Sequence, residues 1–193
     1  MTLERRNLWL AIAAVALGQA IVLGWMIWDR TSLLANGREV VLEVIPVDPR
    51  SLFRGDYVIL GYDISRFKLP AGNAPPERNS PFYVTLRKGA GDNWQAVAGS
   101  SAFPAHLQPD EVVIKGRVEY VSLPGRDQPQ EPIGVGLHYG IESYFVPEGT
   151  GTELEHMVGD KKISAVIAID ASGEAAIKGL ISDGKRVYEE PLL

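Results

Sequence analysis

Ile163-Ser-Ala-Val-Ile-Ala-Ile-Asp170-Ala-Ser-Gly173-Glu-Ala-Ala-Ile-Lys-Gly-Leu-Ile-Ser182-Asp-Gly184-Lys-Arg-Val-Tyr-Glu189 holds three apolar runs separated by two turn signals. Asp170-Ala-Ser-Gly173 and Ser182-Asp-Gly184 combine glycine, which reaches positive φ freely, with side chains that bond their own backbone. Each is expected to reverse the chain. The runs Ile163–Asp170, Ala175–Ile181 and Arg186–Glu189 have strand length, and the first is dense in Val and Ile. The end of the chain is therefore predicted to be an antiparallel meander.

The same punctuation continues upstream. Arg38–Val47, Tyr57–Ile64, Phe82–Leu86, Trp94–Ala98, Val112–Val121 and Gly134–His138 read as further strands. Val58, Leu60, Tyr62 and Ile64 alternate at period two, which turns one face of that strand to a core. Val112, Ile114, Gly116, Val118 and Tyr120 do the same, with Lys115, Arg117 and Glu119 facing away. Gly89-Ala-Gly91 reads as a hairpin turn. Arg66–Pro81 and Ser122–Pro132 are rich in proline and read as solvated connections. One short helix is expected near Thr152–Val158, with Thr150 or Thr152 as its cap and Gly159 past its end. No long parallel crossover is present, so a doubly wound α/β fold is not expected.

Ahead of the β region lies a segment of a different kind. Leu8–Trp28 is a run of 21 residues with one polar side chain, Gln19, and no charge. At about 1.5 Å per residue such a helix measures roughly 31 Å, the hydrocarbon thickness of a bilayer. Trp9 lies near one end, and Trp25 and Trp28 near the other, where indole rings favour the interface. The run is longer than the apolar core of a cleavable signal, and bulky Trp25, Met26 and Trp28 stand where cleavage would fall. The expectation is a signal anchor. Arg5 and Arg6 favour a cytoplasmic amino terminus, with the rest of the chain on the other side of the membrane. Ala16, Ala20 and Gly24 form one stripe of small residues beside Gln19, a surface on which a second membrane helix can pack.

The overall expectation is a mostly β protein. Residues 1–30 form a cytoplasmic stub and transmembrane anchor, with the helix at about 8–28. Residues 31–193 form a single extracytoplasmic antiparallel β-rich domain with one short helix.

Composition removes several activities. Nineteen Lys and Arg against 24 Asp and Glu leave a net charge of −5, the wrong sign for a nucleic-acid groove. The absence of cysteine excludes disulfides, thiolate metal sites and cysteine nucleophiles. His106, His138 and His156 lack metal-ligand spacing, and Ser100 and Ser101 are not set in a nucleophile elbow. No cofactor or metal is expected.

The segment richest in chemistry is Val47-Asp48-Pro-Arg50-Ser-Leu-Phe-Arg54-Gly55-Asp56-Tyr57-Val-Ile-Leu60-Gly-Tyr62. Arg50 and Arg54 lie four apart and are flanked by Asp48 and Asp56. They read either as a corner held by its own ion pairs or as an anion or partner site. Tyr139, Glu142, Tyr144 and Glu148 form a second cluster downstream. On a strand, Glu142 and Tyr144 share a face. They read either as core packing with an ion pair to Arg50 or Arg54, or as acid–base chemistry.

Gly55-Asp56-Tyr57-Val-Ile-Leu60-Gly-Tyr62 resembles the defining motif of the GDYXXLXY protein family, with all five specified positions present. Asp48-Pro-Arg50, Leu52-x-Arg54 and Tyr139-Gly-Ile-Glu142-Ser-Tyr144-Phe-Val-Pro-Glu-Gly149 are also similar to family sequence. The resemblance implies a protein anchored in the bacterial cytoplasmic membrane, in a family of unknown function, some of whose members associate with multi-pass membrane domains. It implies no catalytic residues.

Three functions are compatible with these residues. The leading one is a non-enzymatic accessory subunit of a multi-pass membrane protein, contacted through Ala16, Gln19, Ala20 and Gly24. The second is an envelope ligand-binding or sensing module using Asp48, Arg50, Arg54, Asp56, Tyr62, Glu142 and Tyr144. The third is a hydrolase or transferase using Asp56, Glu142 or Glu148.

Overall fold

The computed structural model describes residues 3–45, 57–89, 91–125, 127, 130–145, 163–182 and 184–189. Helix α1 (Leu3–Asn36) runs straight into β1 (Arg38–Ile45). Then come β2 (Tyr57–Ile59), β3 (Gly61–Tyr62), a single 3-10 turn (Asp63–Ser65) and β4 (Arg66–Leu69). Next along the chain are β5 (Pro81–Lys88), β6 (Trp94–Ser100), β7 (Glu111–Ser122) and β8 (Ile133–His138). The last described elements are β9 (Ser143–Phe145), β10 (Ile163–Ile169), β11 (Ala175–Ser182) and β12 (Lys185–Glu189). The protein is mostly β, as expected. The short helix expected at Thr152–Val158 lies outside the described residues.

Among the described residues, two five-stranded antiparallel sheets share one core. The first has the order β12-β11-β10-β1-β3 and the second β4-β8-β7-β5-β6, with β2 and β9 forming a separate pair. Val40, Leu42, Ala165 and Ile167 from the first sheet meet Val84, Leu86, Ile114 and Val135 from the second, all at most 2% exposed. The predicted meander β10-β11-β12 is present in antiparallel register. Its first turn is fixed by Asp170, whose Oδ1 accepts from the backbone N–H groups of Ser172 and Glu174 at 2.8 and 3.0 Å. Strand β10 is apolar on both faces because both are covered. Ala165 and Ile167 face the shared core, while the end of α1 packs on the other side of β10 and β11, where Leu33 and Leu34 meet Ala176.

That contact explains why the helix outlasts the expected span of about 8–28. Its stretch Asn7–Asn36 is long and apolar enough to cross a membrane, and the most apolar part touches nothing in the domain. Past Trp28 the helix continues because Leu33 and Leu34 are buried on the sheet. It stops at Gly37, whose N–H still bonds the Leu33 carbonyl at 2.9 Å.

Three local expectations change. The alternation from Val58 to Ile64 is not one strand: β2 pairs with β9, β3 pairs with β1, and Ile64 sits in the 3-10 turn. Leu60, Tyr62 and Ile64 are all buried nonetheless, so the period reported burial but not strand continuity. Arg66–Pro81, which reads as a connection throughout, begins with β4, whose Phe67 and Leu69 pack inward. Tyr120 leaves the buried face because the β7–β8 register shifts between Val118 and Tyr120, and its ring, 49% exposed, lies over Gly136.

Two glycines test this packing. A methyl group at Gly99 would sit 2.7 Å from ring atoms of both Phe67 and Phe82, and Phe82 is fully buried. Gly99→Ala is therefore expected to lose about 1–3 kcal/mol, the usual range for overpacking. At Gly136 the colliding ring is that of Tyr120, which is free to swing into solvent. Gly136→Ala is expected to be close to neutral, because alanine also regains some strand stability over glycine. Urea unfolding of the full-length protein in detergent compares them; equal losses would contradict the assignment of Tyr120 as the mobile neighbour.

Charge adds a smaller, pH-dependent increment on the outer face of the first sheet. Glu39 on β1 reaches over β10 to Lys178 on β11 and Arg186 on β12, at 2.8 and 3.0 Å. The Lys178 hydrogen bond, reinforced by both positive charges, holds the Glu39 carboxyl below the ordinary glutamate range. Because its folded value is depressed, the increment is complete above about pH 4.5 and is lost as pH falls through the lower folded value. Glu39 is 42% exposed, so solvent screening limits the effect to a few tenths of a kcal/mol, up to about 1. In Glu39→Gln, unfolding curves between pH 3 and 7 should show that part of the acid dependence removed.

Candidate functional site

The two motif-bearing segments meet. Tyr57, Val58 and Ile59 pair with Phe145, Tyr144 and Ser143, and the Leu60 N–H donates to the Glu142 carbonyl at 2.9 Å. Beyond that pairing, two tyrosines lock the segments reciprocally. The Tyr62 hydroxyl donates to the Ile141 carbonyl at 2.9 Å, and the Tyr139 hydroxyl donates to the Ile64 carbonyl at 2.8 Å. Both rings are buried. Each hydroxyl thus supplies a donor to a backbone carbonyl of the other segment.

Glu142 closes the corner from the polar side. Its carboxylate accepts from the N–H groups of Tyr139 and Gly140 at 2.6 and 2.8 Å, and His138 Nε2 lies 3.2 Å away. Gly140 makes this possible: at φ +81° the backbone folds back toward the carboxylate, a conformation open to glycine. Burial, and secondarily the Glu142 charge, pushes the Tyr62 and Tyr139 hydroxyls well above the usual phenol range. They remain neutral donors at any physiological pH. The cluster is chemically suited to holding two segments together, since its hydroxyls and carboxylate oxygens are already engaged.

Only part of the expected site is assembled in the described residues. Tyr62, Glu142 and Tyr144 come together around the β2–β9 pair, but not as a shared strand face. Glu142 precedes β9 and turns back onto residues 139 and 140, whereas Tyr144 is buried in the core. Asp48, Arg50, Arg54, Asp56 and Glu148 lie outside the described residues. Ala16, Gln19, Ala20 and Gly24 sit on the exposed surface of α1, distant from this cluster, and a side chain at Gly18 or Gly24 would meet nothing within 4 Å.

A scan against family models matches the GDYXXLXY protein model over residues 19–180. The chain belongs to the GDYXXLXY protein family. No curated protein and no solved structure matches it. In this GDYXXLXY protein, Leu60 and Tyr62 of the motif serve the core and the tyrosine lock, and Tyr57 supplies one of the β2–β9 backbone pairs. These described motif positions carry architecture.

A second feature of the GDYXXLXY protein was not visible in sequence. Strands β4 and β6 are opposite edges of the second sheet, yet the sheet curls until Phe67 packs 5.9 Å from Phe82 beneath Gly99. Between these edges opens a groove of about 980 Å³, bounded on the far side by Leu42, Glu43, Tyr62 and Asp63. An isolated Val41–Asn93 bridge tethers the start of β6 to β1, and the Arg38 guanidinium lies 5.3 Å from the Trp94 ring centre. Glu43, Asp63, Arg66 and Lys68 line the groove without an ion pair among the described residues. Strand β6, Trp94–Ser100, carries no charge, although exposed edges are usually blunted by charged residues or proline. The alternation of Arg66, Phe67, Lys68 and Leu69 was the available sequence signal for β4. The proximity of two strand edges some 30 residues apart had none.

Proposed function

We propose that this GDYXXLXY protein is a membrane-tethered, non-enzymatic accessory subunit that receives an extended segment of a multi-pass membrane partner. The groove between the edges of β4 and β6, which pair with no further strand among the described residues, carries this reading. An extended peptide gains main-chain hydrogen bonds from such an edge and specificity from the pockets beside it. The rim supports the same choice, because it offers both signs of charge with Arg66 and Lys68 at alternate positions on one edge. Helix α1 supports a single-pass anchor in the cytoplasmic membrane. Arg5 and Arg6 favour a cytoplasmic amino terminus, which puts the β domain on the extracytoplasmic side. The small-residue stripe with Gln19 supplies a second contact for a partner helix within the bilayer.

The test is site-specific photo-crosslinking in native membranes. A crosslinking residue at Gln95, in the groove, is expected to capture one multi-pass membrane protein, whereas the same residue at exposed Leu123 is not. Val97→Lys combined with Ala98→Lys charges the exposed edge of β6 without touching the core, and should reduce that capture at least tenfold. Identical products at Gln95 and Leu123 would overturn the groove reading. Replacing α1 by an unrelated spanning helix separates the two contacts: retained capture at Gln95 would leave the domain contact and remove the helix contact.

A further inference from the structure

We infer that the loop bearing Phe103 and Leu107 is a membrane-contacting surface, so that the β domain rests on the bilayer that α1 crosses. This rests on the reading of α1 as a membrane span. Three observations carry it.

The domain is not on a flexible tether. Helix α1 passes without interruption from its apolar stretch to Asn36, and β1 begins at Arg38. Leu33 and Leu34 are buried against the domain with Ala176. Whatever stands beside residues 29–36 is therefore held beside the membrane surface.

Phe103 and Leu107 stand there. A cleft of about 480 Å³ has Asp29, Ser32 and Asn36 of the helix in one wall and Phe103 and Leu107 in another. Asp29 is the first residue after the apolar run, and Asn36 is only about 10 Å further along the axis at 1.5 Å per residue. The two side chains thus stand beside the first two turns after the apolar run, within about 12 Å of Trp28 along the axis. The polar layer of a bilayer is itself roughly 5–7 Å deep on each side.

The loop also has the right composition. Residues 101–109, between β6 and β7, contain no Lys, Arg, Asp or Glu. Phe103 and Leu107 are 42% and 41% exposed, and Tyr83 supports the Phe103 ring edge-on at 5.5 Å without burying it. Continuity with the apolar helix selects lipid as the occupant, because the loop shares its cleft with the helix residues that directly follow the apolar run. Apolar and aromatic side chains of this kind seat at the boundary between headgroups and acyl chains.

The chain contains no cysteine, so single-cysteine reporters can be placed freely. Full-length Phe103→Cys, Leu107→Cys, Leu17→Cys and Leu123→Cys variants would carry an environment-sensitive fluorophore in phosphatidylcholine–phosphatidylglycerol vesicles. Nitroxide lipids, labelled on the headgroup or the acyl chain, supply the quencher. Leu123 is the distant control: it is 63% exposed but follows the far end of β7, whose 12 residues extend about 40 Å from Glu111 beside the cleft. The expected result is emission shifted to the blue at 103 and 107, with headgroup quenching at least threefold stronger than at 123. Quenching at 17 by acyl-chain nitroxide with none above the 123 level at 103 and 107 would overturn the inference alone. No quenching at 17 would overturn the span reading and the inference with it. A blue shift at 103 that follows protein-to-lipid ratio, without lipid quenching, would assign the surface to a second copy and also overturn it.

Discussion

Tyr62→Ala is expected to be the most damaging single substitution in the described β domain, with a loss of about 3–5 kcal/mol, the range for removing a buried aromatic ring. Domains of this kind have only about 5–15 kcal/mol in total, so the variant should be largely unfolded well before the unsubstituted chain in a urea series. The reason is position. Tyr62 is 1% exposed, lies where the motif segment changes from one strand pair to the next, and bonds the Ile141 carbonyl. Tyr62→Phe keeps the ring and leaves that carbonyl unpaired, at about 1–3 kcal/mol. Tyr139→Phe is expected to cost a similar amount, because its hydroxyl plays the mirror role to Ile64. Since both bonds join the same two segments, the double Phe variant should depart from additivity by at least 0.5 kcal/mol. A strictly additive double variant would mean that the segments are held together independently of the tyrosine pair.

Gly37→Val is expected to have the next largest effect, about 3 kcal/mol, at the upper end of overpacking losses. A Cβ here would lie 2.5 Å from the Leu33 carbonyl oxygen and 3.0 Å from the Ile169 nitrogen and the Ala168 Cβ. Two of these are backbone atoms that cannot rotate away, so either the helix end or the β1–β10 pairing must move. The clearest measurement is hydrogen exchange of the full-length protein in detergent. Protection should fall at residues 38–43, which pair with β10, more than in β7 and β5. Gly24→Ala is the control within the same helix, because nothing lies within 4 Å of its added methyl group. It should leave domain stability unchanged. Equal loss of protection in both variants would argue that the junction is not tightly packed.

These two predictions show where local pattern was informative. The period-two alternation of Leu60, Tyr62 and Ile64 announced burial correctly, because burial depends on which face a side chain takes. It said nothing of the break at Leu60, since β2 and β3 are divided by their partners, β9 and β1, which lie far along the chain. Glu142 stands out in the sequence for its charge, but its role depends on Gly140 turning the backbone to meet it. Strand β4 was obscured by the prolines that follow it, although its own four residues alternate.

The features legible from the chain alone are those set by short-range chemistry. An apolar run of bilayer length, the meander with its Asp170–Gly173 reversal, the β-rich class and the family motif all depend on neighbours within a few residues. Assembly decided the rest. The reciprocal bonds of Tyr62 and Tyr139, the docking of Leu33 and Leu34 that carries α1 to Asn36, and the groove between β4 and β6 each bring together groups tens of residues apart or more. No local propensity encodes such meetings, because their free energy comes from burying surfaces and pairing polar groups that touch only once both sheets have closed on the shared core.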